Sequence, residues 1–263
     1  MKIAYYTTLL LLHLVSNHLF SQEKSVLLPG EVPMAFVYIP PGKFLMGSTT
    51  KELERHDDEG PVREVVISKG FYLSKYEVTQ AQWLAVMGNN PSVMNDTKNW
   101  KQHPVDNVSW NDCNTFISKI NALGLGAFRM PTEAEWEYAC RAGTTSRYYW
   151  GEDSSDYHVH TYAWAFSKAE GVSHPVGLKK PNKWGLYDMS GNVWEWCSDW
   201  RGPYEANQLI DPIGPSSHGK KKIYRGGSWF NKPATLRSAN RNGHEPDMRG
   251  TNAGLRLVLQ AED

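Results

Sequence analysis

The sequence predicts an α+β domain that is rich in loop and mostly antiparallel in its strands, and three observations predict it. The 263 residues include 11 Trp, 13 Tyr, 22 Gly and 15 Pro, a composition that suits irregular backbone packed around large aromatic anchors. Only three stretches carry a helical pattern with a start and a stop signal. The remaining apolar segments are short, alternate with polar residues, and break at Gly, Pro, Asn or Asp.

Along the chain, residues 1–21 place one lysine, Lys2, before an apolar run from Ile3 to Val15 and then small or polar residues. That order predicts a cleavable secretory signal, cut after Ser21, and a mature protein that is periplasmic or secreted. The run is too short for a transmembrane span, and no second one follows. Phe36 to Gly47 reads as strand, Pro40-Pro41-Gly42 turn and strand, and Val62 to Tyr76 continues in that style. Thr79 caps a first helix carrying Trp83, Leu84, Val86 and Met87 and ended by Gly88. Ser109 caps a second, with Trp110, Cys113, Phe116, Ile117, Ile120 and Leu123 on one face and Gly124 as its stop. Thr132-Glu-Ala-Glu135 is a capping box that opens the third, which runs through Trp136, Tyr138, Ala139 and Cys140 toward Gly143.

Lys and Arg total 28 and Asp and Glu total 28, so the formal charge is zero, and Lys220-Lys-Lys222 is the densest basic cluster. A nucleic-acid partner is not expected from that balance. The acidic run His56-Asp-Asp-Glu59 reads as a solvated loop.

Seven strings follow one another: Ile39-Pro-Pro-Gly-Lys-Phe-Leu-Met-Gly47, Tyr76-Glu-Val-Thr79, His103-Pro-Val-Asp-Asn-Val-Ser-Trp110, Met130-Pro-Thr-Glu-Ala-Glu-Trp-Glu-Tyr138, Gly185-Leu-Tyr-Asp-Met-Ser-Gly-Asn-Val-Trp-Glu-Trp196, Arg225-Gly-Gly-Ser-Trp229 and Gly254-Leu-Arg256. Together they resemble the signature of the formylglycine-generating enzyme (sulfatase-modifying factor) family, and the resemblance implies one such domain over residues 34–260. It also implies a variant of the C-type-lectin-like fold with little regular secondary structure, stabilised by calcium. The family includes sulfoxide synthases, pyoverdine-maturation proteins and gliding-motility lipoproteins as well as sulfatase-activating oxidases, so fold alone does not fix activity.

The founding enzymes oxidise a sulfatase cysteine to formylglycine with two copper(I)-binding cysteines shortly after the Gly-Gly-Ser string. Thiolates suit copper(I) because it needs soft, polarisable donors. Here Gly226 to Arg241 contains no cysteine, and none follows Cys197. The resemblance therefore implies a substrate groove, lined by Ser228, Trp229, Asn231 and Arg237, without the copper chemistry, and copper is not expected. The expected partner is a peptide, glycan or exported protein held by surface aromatics such as Trp100, Tyr148, Tyr149, Trp150, Trp164 and Trp229. An oxidoreductase acting on an exported substrate by a non-cysteine mechanism is the alternative.

Calcium is the expected cofactor. Asp188 and Glu195 bracket a glycine-containing turn, so their carboxylates and the carbonyls of Gly191 and Val193 offer hard oxygen donors of mixed origin. The family's calcium motif matches these four positions residue by residue; as an alternative, the two carboxylates cap turns. The family's other calcium site falls in residues 162–181, where the match fails. Of the three cysteines, Cys140 and Cys197 are the expected disulfide pair and Cys113 a buried small hydrophobe. His158-Val-His160, on a strand, turns both imidazoles to one face, with His174 in the next segment; metal ligands and surface histidines are both open readings. No G-x-S-x-G, H-E-x-x-H or phosphate-binding glycine loop occurs.

Overall fold

The short alternating segments become strands because each buries an apolar set against a partner distant in sequence. In the computed structural model, which describes residues 22–96, 98–166, 168–205, 207, 209–215 and 219–261, five of them form one antiparallel sheet. Its order is β1 (Glu23–Leu28), β2 (Val32–Ile39), β5 (Phe71–Ser74), β11 (Val258–Gln260) and β6 (Phe128–Arg129). β3 (Gly42–Met46) and β4 (Arg63–Ile67) make a separate two-stranded sheet. A four-stranded sheet runs β10 (Ala253–Leu255), β7 (Trp194–Trp200), β8 (Lys222–Arg225) and β9 (Arg241–His244), parallel only between β10 and β7. The expected signal peptide of residues 1–21 lies outside the described residues. Among the described residues no helix is long and apolar enough to cross a membrane.

The five-stranded sheet divides two cores. On one side Met34, Phe36, Leu257 and Leu259 meet α1 (Gln80–Met87) and α2 (Trp110–Ala122) through Trp83, Cys113, Phe116 and Ile120. Trp83 stacks on Phe116 with ring centroids 4.9 Å apart. On the other side Val37, Ile39, Leu73 and Val258 meet α3 (Glu133–Arg141) through Ala134, Trp136, Ala139 and Cys140. All three helices start where the sequence predicts, on capping boxes in which Thr79, Ser109 and Thr132 accept from the third helical residue. Gly88 closes α1 in the left-handed region, whereas α3 stops one residue before Gly143, on a left-handed Ala142. A fourth helix, α4 (Val159–Tyr162), is a single turn.

α3 also carries charge into the core. Glu133 receives two bonds of 2.7 Å from Arg241, and Glu137 binds Arg225 and, at 2.8 Å, Arg141. Gly47 donates its backbone N–H to Glu137 at 2.9 Å while Arg141 donates to the Gly47 carbonyl, which ties the end of β3 to the helix. Burial opposes ionisation of Glu133, yet Arg241 and Arg225 hold it below the usual carboxylate range. These five side chains are buried together, so the cluster has no water to fall back on.

Several sequence expectations change here. The run His56-Asp-Asp-Glu59 is not wholly solvated: Asp57 is exposed, but Glu59 is fully buried and pairs with Arg237 at 2.6 Å. Tyr148 and Tyr149 are core rather than surface aromatics. The disulfide expected between Cys140 and Cys197 is not formed, and all three cysteines are buried free thiols. Cys140 Sγ faces the Met189 carbonyl and Ser238, and Cys197 Sγ faces the Glu195 carbonyl.

Two outcomes follow for stability. Arg225→Met removes one of the two guanidinium partners of the buried Glu137 and leaves it only Arg141, and urea unfolding should show a loss of about 3 kcal/mol. Asp199, buried beside the start of α3 where it accepts from the Glu133 N–H, is pushed up to about 7, by burial first and then by Glu133. A raised carboxyl favours the folded state at acid pH, and that contribution is lost as pH rises from about 4 through about 7. Asp199→Asn should flatten this part of the stability-against-pH curve; an unchanged curve would assign the dependence to other groups.

Candidate functional site

β8 delivers the Gly-Gly-Ser turn. Gly226 (φ 95°) and Gly227 (φ 75°) are both left-handed, and a Cβ at Gly227 would press on the Thr235 carbonyl and Leu236, so glycine is required by backbone and by space. Ser228 follows, fully buried, with its Oγ donating to Asn231 Oδ1 at 2.6 Å and accepting from Asn252 Nδ2 at 3.0 Å.

The turn is sewn to a second one. Gly191 donates to the Gly226 carbonyl at 2.9 Å, Trp229 donates to the Asn192 carbonyl at 2.8 Å, and Asn192 donates to the Trp164 carbonyl at 3.1 Å. Phe166 donates to the Asn231 carbonyl at 3.1 Å. Three separate segments, around 164–166, 188–195 and 228–231, thus meet at one place. Their aromatics form its outer surface: Phe166 and Phe230 are 57% and 58% exposed and approach edge-to-face, and Trp229 sits edge-on to Phe230. The indole nitrogens of Trp164 and Trp229 are buried with no protein acceptor. Trp164 stacks on His174 at 3.7 Å and carries Lys179 Nζ over its ring at 3.7 Å.

Behind this surface lies a carboxylate cluster. Asp188, Glu195 and Glu77 are all buried. Glu195 is held by Arg256 in a two-point ion pair of 2.9 and 2.7 Å and accepts from the Trp136 indole at 2.6 Å. Asp188 Oδ2 accepts from the Gly177 N–H at 2.7 Å, while its Oδ1 is buried without a protein partner. Glu77 accepts from the Val193 N–H at 3.0 Å and from Asn192 Nδ2 at 2.6 Å. Burial, then Asp188 and Glu195, push Glu77 well above the usual carboxylate range, and burial pushes Asp188 up to about 6 with Glu195 adding to it.

The sequence-predicted residues divide accordingly. Trp229 and Asn231 share one surface with the buried Ser228 directly beneath it, adjoining the turn of Asp188, Gly191, Val193 and Glu195. Arg237 does not line it: the side chain is fully buried and spends its donors on Glu59, Glu52 and the Glu54 carbonyl. His158 and His160 are not on a strand; His158 precedes α4 and His160 lies within it, so the two-residue spacing turns them apart. Among the described residues no group of three or more His, Cys, Asp or Glu side chains is arranged to hold a metal ion. Sequence reasoning missed Glu77 and Arg256 as partners of the turn, although both lie inside strings already singled out.

The sulfatase-modifying factor enzyme 1-like domain family matches residues 26–261. The chain belongs to that family. Among its relatives is the formylglycine-generating enzyme of Bos taurus, 30% identical over 310 residues, covering 92% of this chain and 80% of that one. Two solved structures are similar. Treponema denticola variable protein 1 has a TM-score of 0.81 at 28% identity, covering 91% of this chain and 99% of its own. PvdO from Pseudomonas aeruginosa has a TM-score of 0.77 at 28% identity, covering 86% and 94%. The fold is the family's loop-rich α+β variant of the C-type-lectin-like fold, as the sequence implies.

Ser228→Ala should leave the Asn231 and Asn252 amides without their shared partner and cost about 1–3 kcal/mol in urea unfolding. A neutral substitution would mean that the turn is held by its backbone bonds alone.

Proposed function

We propose that this chain is an exported binding member of the family, holding a peptide, glycan or protein on the Ser228 surface, and that it is not a copper-dependent sulfatase-activating oxidase. The observation that carries this reading is the exposed pair Phe166 and Phe230, on two segments fixed to each other by backbone bonds, beside the inward-held Ser228. Large exposed aromatics on rigid loops give contact area at little entropic cost.

The loss of the copper pair is supported by the chemistry of the thiols present. Copper(I) requires thiolates, but burial pushes Cys140 up to about 12 and Cys113 and Cys197 well above the usual thiol range, and none of the three lies between Gly226 and Arg241. With copper added and a cysteine-containing sulfatase-motif peptide as substrate, an oxygen electrode should record no uptake above the peptide-free rate. Uptake with conversion of the peptide would replace this reading with an oxidoreductase.

Calcium is proposed as a structural ion at the neighbouring turn. Three buried carboxylates cluster there with one guanidinium, which pairs with Glu195, and the unpartnered Asp188 Oδ1 is a hard donor suited to such an ion. Asp188 and the carbonyls of Gly191 and Val193 would hold it, and Glu195 would share its remaining lone pairs while keeping Arg256. Chelation should lower the melting temperature of the native protein and leave Asp188→Asn unaffected. No chelator effect on the native protein would remove calcium from the account.

A further inference from the structure

A groove of about 820 Å³ opens at one end of the five-stranded sheet, and none of its lining residues belongs to the Ser228 surface or to the Asp188–Glu195 turn. Its apolar wall is Trp110 and Ile117 from α2, Phe71 at the start of β5, Met130, Tyr38 and Ile213. A volume of this size admits a ligand of several rings.

Trp110 is fixed before any ligand arrives. Its indole N–H donates to the Cys197 carbonyl at 2.9 Å, and Lys222 Nζ lies over the ring at 4.0 Å. That ammonium is itself held by the Trp200 ring at 3.9 Å and by the Ser198 carbonyl at 2.8 Å. Tyr38 stands edge-on to Tyr72 at 5.3 Å, and its hydroxyl passes Gly70 where a Cβ would collide with it. Two aromatic walls are thus rigid.

The polar lining selects against charge and against an added strand. Lys69 and Arg129 are balanced by Glu135 and Asp211. Arg129 closes a two-point ion pair on Glu135 at 2.6 Å, and Asp211 accepts from the Ser68 N–H and hydroxyl. No net charge is left to draw in a polyanion or a polycation. The backbone edge of β6 is closed as well, because Asn121 takes both the N–H and the carbonyl of Phe128, at 2.7 and 2.9 Å. An extended peptide therefore finds no strand edge to pair with at this place. What remains is aromatic surface edged by the neutral amides of Gln260 and of Asn114, the latter oriented by its Nδ2 donating to the Trp110 carbonyl at 2.9 Å.

We propose that this groove is a second binding site, for a neutral oligosaccharide. The apolar C–H face of a sugar ring packs on the negative face of an aromatic ring, and its hydroxyls bond to neutral amides without a charge to desolvate.

Calorimetric titration of the protein with cellotetraose, chitotetraose and maltotetraose tests it. At least one of them should bind saturably. Asn114→Ala and Tyr38→Phe, which remove groove polar groups and leave the core intact, should each weaken binding fivefold or more with the melting temperature unchanged. Failure of all three sugars to bind overturns the proposal. So does binding that survives both groove substitutions and is lost with Asn231→Ala, which would put the sugar on the Ser228 surface instead.

Discussion

The buried lattice of carboxylates and guanidinium groups around α3 is the constraint on which the remaining structure depends. Glu133 and Glu137 project from one helix and collect Arg141, Arg225 and Arg241, which come from the helix itself, from β8 and from β9. With so few residues in regular structure, loops rather than long strands carry the chain between sheets. Directional pairs fix the relative placement of those loops where apolar packing alone would let them slide. Such a cluster is not a large source of net stability, since desolvation offsets most of its attraction. Its consequence is specificity: each arginine has one place in which it meets its carboxylate partners, Arg241 on Glu133, Arg141 on Glu137, and Arg225 on both.

The Ser228 turn and the surface over it inherit that order. Arg225 immediately precedes Gly226 and Gly227, so the same residue that joins β8 to α3 also aims the turn carrying Ser228. Arg256 does the equivalent for Glu195, and Glu77 fixes the N–H of Val193 from a third segment. This surface, built on irregular backbone, is supported by buried ion pairs and left-handed glycines. In this chain the stretch from Gly226 to Arg241 presents Asn231, bonded to Ser228, and a buried Leu236.

What was legible in the sequence is what local rules govern. Thr79, Ser109 and Thr132 announced their helices because a cap is decided within four residues. Three strands of the four-stranded sheet were not legible as elements, because three or four residues carry too little alternation, and the partners in this sheet lie far along the chain, as with Glu195 beside Arg225. The same distance explains the misread acidic run: Glu59 looks solvated until Arg237 arrives from 178 residues away. The burial of Arg237 follows from that pair, and it removed one of four expected groove residues. For His158 and His160 the metal-ligand reading needed a strand, and a single helical turn formed there instead, with His158 exposed. At the candidate site, the strings carrying Ser228, Trp229 and the Asp188–Glu195 turn lie side by side in the fold, while Asn231 and the exposed Phe166 lie outside every string.

The chain has the family's scaffold, and we propose that it holds a partner without the copper chemistry. Metal content of the purified protein by mass spectrometry, after exposure to copper(I) and removal of excess, tests it most directly. The account predicts calcium near one equivalent and copper at background. Stoichiometric copper would contradict it, and would mean that ligands other than a cysteine pair after Gly226-Gly-Ser228 have taken over the metal.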